Sequence, residues 1–155
     1  MKKVLIFILF SVTLLGYINS QTSITSSAMS ATLKTEMVLD GKYSGITPGD
    51  AFYYAGTLGV YLSDTQNGAI RVMLNNNTFT GIISASDGGL VKAWSKDELA
   101  SWLAQNYQTP EYTETLQGAN WTISFKVQGN PTLFTGTSNN NATALATAIL
   151  ALLAI

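Results

Sequence analysis

The chain opens on an apolar run, Val4 to Leu15, behind two lysines, Lys2 and Lys3. It closes on another, Ala142 to Ile155, with no charge, proline or glycine. Between them, short apolar runs are divided by turn signals. The middle alternates with period 2: Ile70, Val72 and Leu74 against Arg71 and Met73, then Phe79, Gly81 and Ile83 against Thr78, Thr80 and Ile82. That is the repeat of a strand with one face in a core. "NNN" at 75–77 and "SDGG" at 86–89 read as turns, and "LVKAW" follows. Three strands with tight turns predict an antiparallel meander.

The period changes at Ser95. Ser95 and Glu98 have capping-box spacing, Leu99, Trp102 and Leu103 lie at i, i+3 and i+4, and Pro110 stops the pattern. This predicts a helix from Lys96 to about Tyr107. Ala100 and Tyr107 widen its apolar face. Beyond it, Trp121, Ile123, Phe125 and Val127 alternate, "QGNP" turns the chain and "TLFTGT" returns, giving two or three further strands. Upstream, "MVLDGKYSG" reads as strand and turn through Asp40-Gly41, and "ITPGD" as a turn. "AFYYAGTLGVYLS" holds a strand, with a helix over 51–55 left open. The sum is an α+β domain, an antiparallel β-meander sheet of about six or seven strands with one helix packed on it.

Composition narrows the class. Charged residues are 11% of the chain, yet it carries 6 Phe, 7 Tyr and 3 Trp, which a disordered chain would lack. A polar, weakly charged surface suits an extracellular glycoprotein. There is no cysteine and no histidine. That removes disulfides, thiol nucleophiles, Cys zinc sites and Ser-His triads. Net charge is −1 with no basic patch, so nucleic acid is not an expected partner. No cofactor motif is present.

The ends carry the strongest signals. Lys2 and Lys3, the apolar run and the small residue Ser20 in "GYINS" form a signal peptide over 1–20, cut after Ser20. Residues 21–36, rich in Ser and Thr, read as a flexible, O-glycosylated arm or an edge strand around Ile24. Residues 37–137 read as one globular domain, and 138–155 as an attachment region with a hydrophobic tail. A helix over 142–155 spans only about 21 Å of a hydrocarbon core of about 30 Å, which argues against a membrane span. Small and polar residues before a charge-free tail fit a glycosylphosphatidylinositol (GPI) signal. Asn140 and Asn139 are the attachment candidates, with Ser138 and Gly136 as rivals. The other reading is a docked C-terminal helix, with Thr143 and Thr147 as a thin polar stripe.

The leader at 1–20 and "SNNNATALATAILALLAI" at 138–155 resemble the precursors of small GPI-anchored surface glycoproteins, among them ponticulin-like proteins of social amoebae. Those proteins carry cysteines, so the resemblance covers the two ends only. It implies an outer-leaflet protein held at the external face of the plasma membrane by its lipid.

Asn76 and Asn120 head the N-glycosylation sequons Asn76-Asn77-Thr78 and Asn120-Trp121-Thr122. Asn130-Pro131-Thr132 is blocked by proline, and Asn141-Ala142-Thr143 falls at or beyond the expected cut. With His and Cys absent, carboxylates are the remaining catalysts. Glu111 and Glu114 are three apart, Asp97 and Glu98 sit in a first helical turn, and Asp87 precedes Gly-Gly. "SDTQNG", with Asp64 and Asn67, has too few charges for a calcium loop. The expectation is therefore a non-enzymatic surface protein that binds a carbohydrate or another surface protein. The alternatives are a hydrolase using an acidic pair, and a small-ligand carrier with a pocket lined by Phe52, Tyr54 and Trp121. Tyr53, Tyr54 and Tyr61, if exposed together, would form a sugar-binding surface.

Overall fold

The computed structural model describes residues 23–74, 79–84 and 86–155. Among these, eight strands form two antiparallel sheets, accompanied by three helices. The α+β class read from the sequence is the observed one.

Helix α1 spans Ser27–Leu39 and occupies most of the segment read as an arm. Ser26 caps it by accepting from the Met29 N–H, and Leu33 and Met37, four apart, are fully buried. Thr32 and Thr35 turn their hydroxyls back onto the carbonyls of Ala28 and Ala31. Two of the weak helix formers in this segment thus bond their hydroxyls within the helix. The helix ends at Asp40, and Gly41 takes a positive φ of 70° beyond it. Asp40-Gly41 is thus a helix stop, where the sequence suggested a hairpin.

The first sheet holds β1 (Ala51–Tyr54), β2 (Thr57–Asp64), β3 (Ala69–Leu74), β4 (Phe79–Ser84) and β5 (Leu90–Lys92). Its order is β4-β3-β2-β1-β5. β1 and β2 are joined by Ala55 and Gly56, both at positive φ, so "AFYYAGTLGVYLS" is a hairpin of two strands. β3 and β4 pair antiparallel as expected, with Ile70 against Ile83 and Val72 against Gly81. β5 does not continue that meander: it crosses to pair with β1 at the far edge. A bulge between Tyr61 and Ser63 bends β2, and the curled sheet encloses Phe52, Tyr61, Ile70, Val72 and Leu90.

Helix α2, Lys96–Asn106, follows as expected, with both hydrogen bonds of the Ser95/Glu98 capping box present. Leu99, Trp102 and Leu103 are its buried face. The second sheet is a meander of β6 (Glu111–Gln117), β7 (Asn120–Lys126) and β8 (Phe134–Ser138). One face presents hydroxyls outward, with Thr115, Thr122 and Thr137 in one row and Thr113, Ser124 and Thr135 in the next. The other turns Ile123, Phe125 and Phe134 into the larger core.

Helix α3, Asn141–Leu153, covers that inner face. Ala142, Ala144, Leu145, Ala146, Ala148, Ile149 and Leu152 are buried, Thr143 and Thr147 are half-buried, with Thr147 beside Gly136 of β8, and Ala151 is exposed. It packs on β7 and β8 and is flanked by α2 and α1. The fit is close: a Cβ at Gly136 of β8 would stand 2.0 Å from the Ala144 carbonyl. The hydrophobic core therefore extends beyond 37–137 on both sides, into α1 and α3. No described helix is long and apolar enough to cross a membrane.

Candidate functional site

β5 is three residues long, and its alternation turns Leu90 and Lys92 to the inner side. Lys92 stands opposite Phe52 and is 7% exposed. A buried ammonium costs several kcal/mol unless paired. Here its Nζ meets Asp50 Oδ2 at 2.7 Å and Glu98 Oε1 at 3.0 Å, and lies 4.9 Å from the centre of the Trp94 ring. Burial works against the charge, but the bonds to Asp50 and Glu98 outweigh it and hold the Lys92 pKa above its ordinary 10.5.

Both carboxylates take further donors, Asp50 on the same Oδ2 that meets Lys92. Asp50 accepts from the Thr47 N–H at 2.8 Å and the Thr47 hydroxyl at 3.1 Å. Glu98 accepts from the Ser95 N–H and hydroxyl through its other oxygen. The triad thus links the loop before β1, strand β5 and the start of α2, which is the seam between the two sheets.

A cleft of about 310 Å³ lies over this seam. Its floor is Lys92, Trp94, Glu98 and Trp102. Ser44, Asp97, Ser101 and Gln105 also line it. These last three recur every fourth residue, so they form one exposed polar stripe along α2. The two indoles differ. Trp102 donates its Nε1–H to the Lys42 carbonyl at 2.8 Å. Trp94 is 2% exposed, and its Nε1 has no hydrogen-bond partner. A buried donor left unpaired costs about 1–3 kcal/mol.

The residues singled out in the sequence lie elsewhere or do other work. Asn76 and the expected cleavage at Ser20 fall outside the described residues. Asn120 is exposed at the β6–β7 turn. Ser138 ends β8, Asn139 is exposed in the connection, and Asn140 caps α3 by accepting from the Thr143 N–H. The Asn140 amide also donates to the Ile24 carbonyl, tying the two ends of the described chain together.

Glu111 and Glu114 face opposite sides of β6 and pair separately, with Lys126 at 3.0 Å and Lys96 at 3.1 Å. Asp87 bonds the Tyr54 hydroxyl and the Gly89 N–H. Tyr53 donates to the Thr25 carbonyl on one face of the sheet, while Tyr54 and Tyr61 lie on the other, so the three tyrosines share no surface. Tyr61 is buried, with its hydroxyl on Asp64. Phe52 and Tyr54 belong to the smaller core and Trp121 to the larger, so they line no common pocket. Among the described residues no cluster of acids could hold a metal ion.

The Lys92 triad was not anticipated from the sequence. Its signal was present: in "LVKAW" strict alternation sets Lys92 on the side of Leu90, a charge aimed inward. Its acidic partners lie 42 positions upstream and six downstream, beyond any local pattern. Comparisons with protein-family models, curated proteins and solved structures return no match.

Proposed function

We propose that this chain is an exported, glycosylated recognition protein without catalytic activity, which binds a carbohydrate or another surface protein outside the cell. The locking of Asp50 and Glu98 onto Lys92 carries this reading. A pair of acids acting on a glycosidic bond needs one carboxyl free to give a proton and the other free to attack or to activate water. In the cleft, both are engaged by Lys92 and by their own capping groups. The leader over 1–20 and the exposed sequon at Asn120 support export and glycosylation.

The C-terminal segment has two readings. Burial of seven α3 residues and the close approach at Gly136 favour a mature chain that keeps α3 as its core helix. The GPI-anchored form is the second reading, favoured by the charge-free tail and by the small, polar connection at Ser138, Asn139 and Asn140. It requires another cover for Ile123, Phe125 and Phe134. Mass spectrometry of the C-terminal peptide, with phosphatidylinositol-specific phospholipase C treatment of intact cells, separates the two. The expected result is a C-terminal peptide that retains 141–153. A glycan-bearing peptide ending near Asn139 or Asn140 would establish the anchored form and overturn retention of α3. Binding of the purified chain to whole cells and to immobilised glycans tests recognition itself, and a chain that adheres to neither rules it out.

A further inference from the structure

We propose that the free edge of β6 pairs with the same edge of a second copy of this chain, joining two three-stranded sheets into one about a two-fold axis at Glu114. The partner is another molecule of the same chain, so the proposal stands apart from the recognition reading above.

Three observations carry it. First, β6 ends its sheet, with β7 as its one strand neighbour. Gly118, at a φ of 63°, and Ala119 form a two-residue turn, so Gln117 and Asn120 close the hairpin as a hydrogen-bonded pair. Alternation from that pair gives the amides of Glu111, Thr113 and Thr115 to β7. It turns the N–H and C=O groups of Tyr112, Glu114 and Leu116 to the open side.

Second, this edge reads nearly alike in both directions: Glu111-Tyr112-Thr113-Glu114-Thr115-Leu116-Gln117. A two-fold interface requires a patch that is complementary to itself. Antiparallel pairing centred on Glu114 sets Tyr112 against Leu116 of the second copy, Thr113 against Thr115 and Glu111 against Gln117. The same register joins the open groups of Tyr112, Glu114 and Leu116, with a two-bond exchange at each of these pairs.

Third, Tyr112 and Leu116 are 39% and 54% exposed, although they share the inner face with Phe125 and Trp121. α3 packs on β7 and β8, and these two side chains stand at the margin of that cover. In the pairing, each Tyr112 covers the Leu116 of the other copy, a favourable cross-strand contact.

The charge at the axis is answered in place. An inward-facing carboxylate at a sheet edge ordinarily deters pairing. Glu114 is held by Lys96 at 3.1 Å, and its side chain is 22% exposed. The axis therefore brings together two neutralised pairs, not two bare carboxylates. The β5 edge of the first sheet is treated differently: Lys34 Nζ occupies the Gly88 and Leu90 carbonyls at 3.0 and 2.7 Å.

The test uses the full chain as recovered from cells. One strand edge buries little surface, at or below about 1,200 Å² in total, which is the range of weak pairs. Sedimentation across the micromolar range should therefore show a monomer–dimer equilibrium. Leu116→Pro should weaken it about tenfold or more, because it removes an N–H at each end of the pairing. It costs β7 no hydrogen bond, since that N–H faces away. Leu116→Lys, at the same exposed position, keeps the test open should the proline variant misfold.

The chain has no cysteine, so cross-linking can read the register. Glu114→Cys stands opposite itself, with Cα atoms about 5.5 Å apart, and should give a disulfide-linked dimer on mild oxidation. Tyr112→Cys alone should not, whereas Tyr112→Cys mixed with Leu116→Cys should. A chain that stays monomeric throughout overturns the proposal. So does a dimer that persists in both Leu116 variants, or a Glu114→Cys chain that fails to cross-link. Growth beyond dimers also overturns it, because the contact would then be open-ended and not a closed two-fold.

Discussion

The five-stranded sheet buries Phe52, Tyr61, Ile70, Val72 and Leu90 against its own curled face and the loop residue Ile46, whereas the three-stranded sheet buries Ile123, Phe125 and Phe134 beneath helices. Five strands with a bulge curve far enough to enclose side chains. Three strands do not, and their apolar face has to be buried against another layer, here the helices. That cover is assembled from 27–39, 96–106 and 141–153, segments far apart in the chain. Apart from the crossover to β5, the first region is thus a folding problem between sequence neighbours, and the second depends on both ends of the described chain. The seam cleft lies where the two meet, with Asp50 and Lys92 supplied from one side and Glu98 from the other.

The sharpest way to break this contrast is a matched pair of cavities. Phe125→Ala should cost about 5 kcal/mol and Phe52→Ala about 3, both within the range for a fully buried Phe. The helix-covered core is pinned by several elements and relaxes less into a hole than a curled sheet does. Urea unfolding of both variants measures this, and a larger loss at Phe52 would reverse the argument.

Next comes the seam. Lys92→Met leaves Asp50 and Glu98 without their cation and should cost about 3 kcal/mol, the lower end for a broken buried pair because Glu98 is partly exposed. The same pair predicts a pH dependence. The folded chain holds the Lys92 proton more tightly than the unfolded chain does. Its contribution is therefore complete below the ordinary lysine value of 10.5 and fades as pH rises through the folded value. Wild-type stability should fall on that alkaline limb, and Lys92→Met should flatten it.

Glycine substitutions sharpen the comparison at a smaller scale. Gly136→Ala pushes a methyl into the α3 backbone and should cost about 3 kcal/mol. Gly59→Ala, in β2, meets mainly the ends of the Leu74 and Phe52 side chains, with the Met73 carbonyl at 2.8 Å, and should cost about 1 kcal/mol. Equal losses would mean that α3 yields as easily as a side chain. The smallest effect is expected on the outer face of the second sheet. Lys126→Ala removes an exposed pair with Glu111 and should change stability by no more than about 0.5 kcal/mol.

Local patterns announced much of this fold. Period 2 in 69–74 and 121–127, and the capping box with its i, i+3, i+4 face in 95–103, are written in adjacent residues, and the structure follows them. α1 was hidden because its buried stripe is narrow, Leu33 and Met37 amid Ser and Thr, so composition outweighed periodicity. β5 was legible as a strand but not in its pairing, since nothing in "LVKAW" says whether the neighbour is β4 or β1. The candidate site was the least legible part, because Asp50, Lys92 and Glu98 become partners only through the crossover that carries β5 to the far edge.

The sequence by itself determined the antiparallel α+β class, the limits of α2 and the absence of thiol and imidazole chemistry. These follow from residue identity and from spacings shorter than one turn or one hairpin. Tertiary structure gives the apolar run at 142–153 a place in the folded chain. A charge-free helix is equally content in lipid or against a sheet, because both remove its side chains from water. The sheet face of Ile123, Phe125 and Phe134, with Gly136 letting the helix backbone approach, gives it a protein surface to cover.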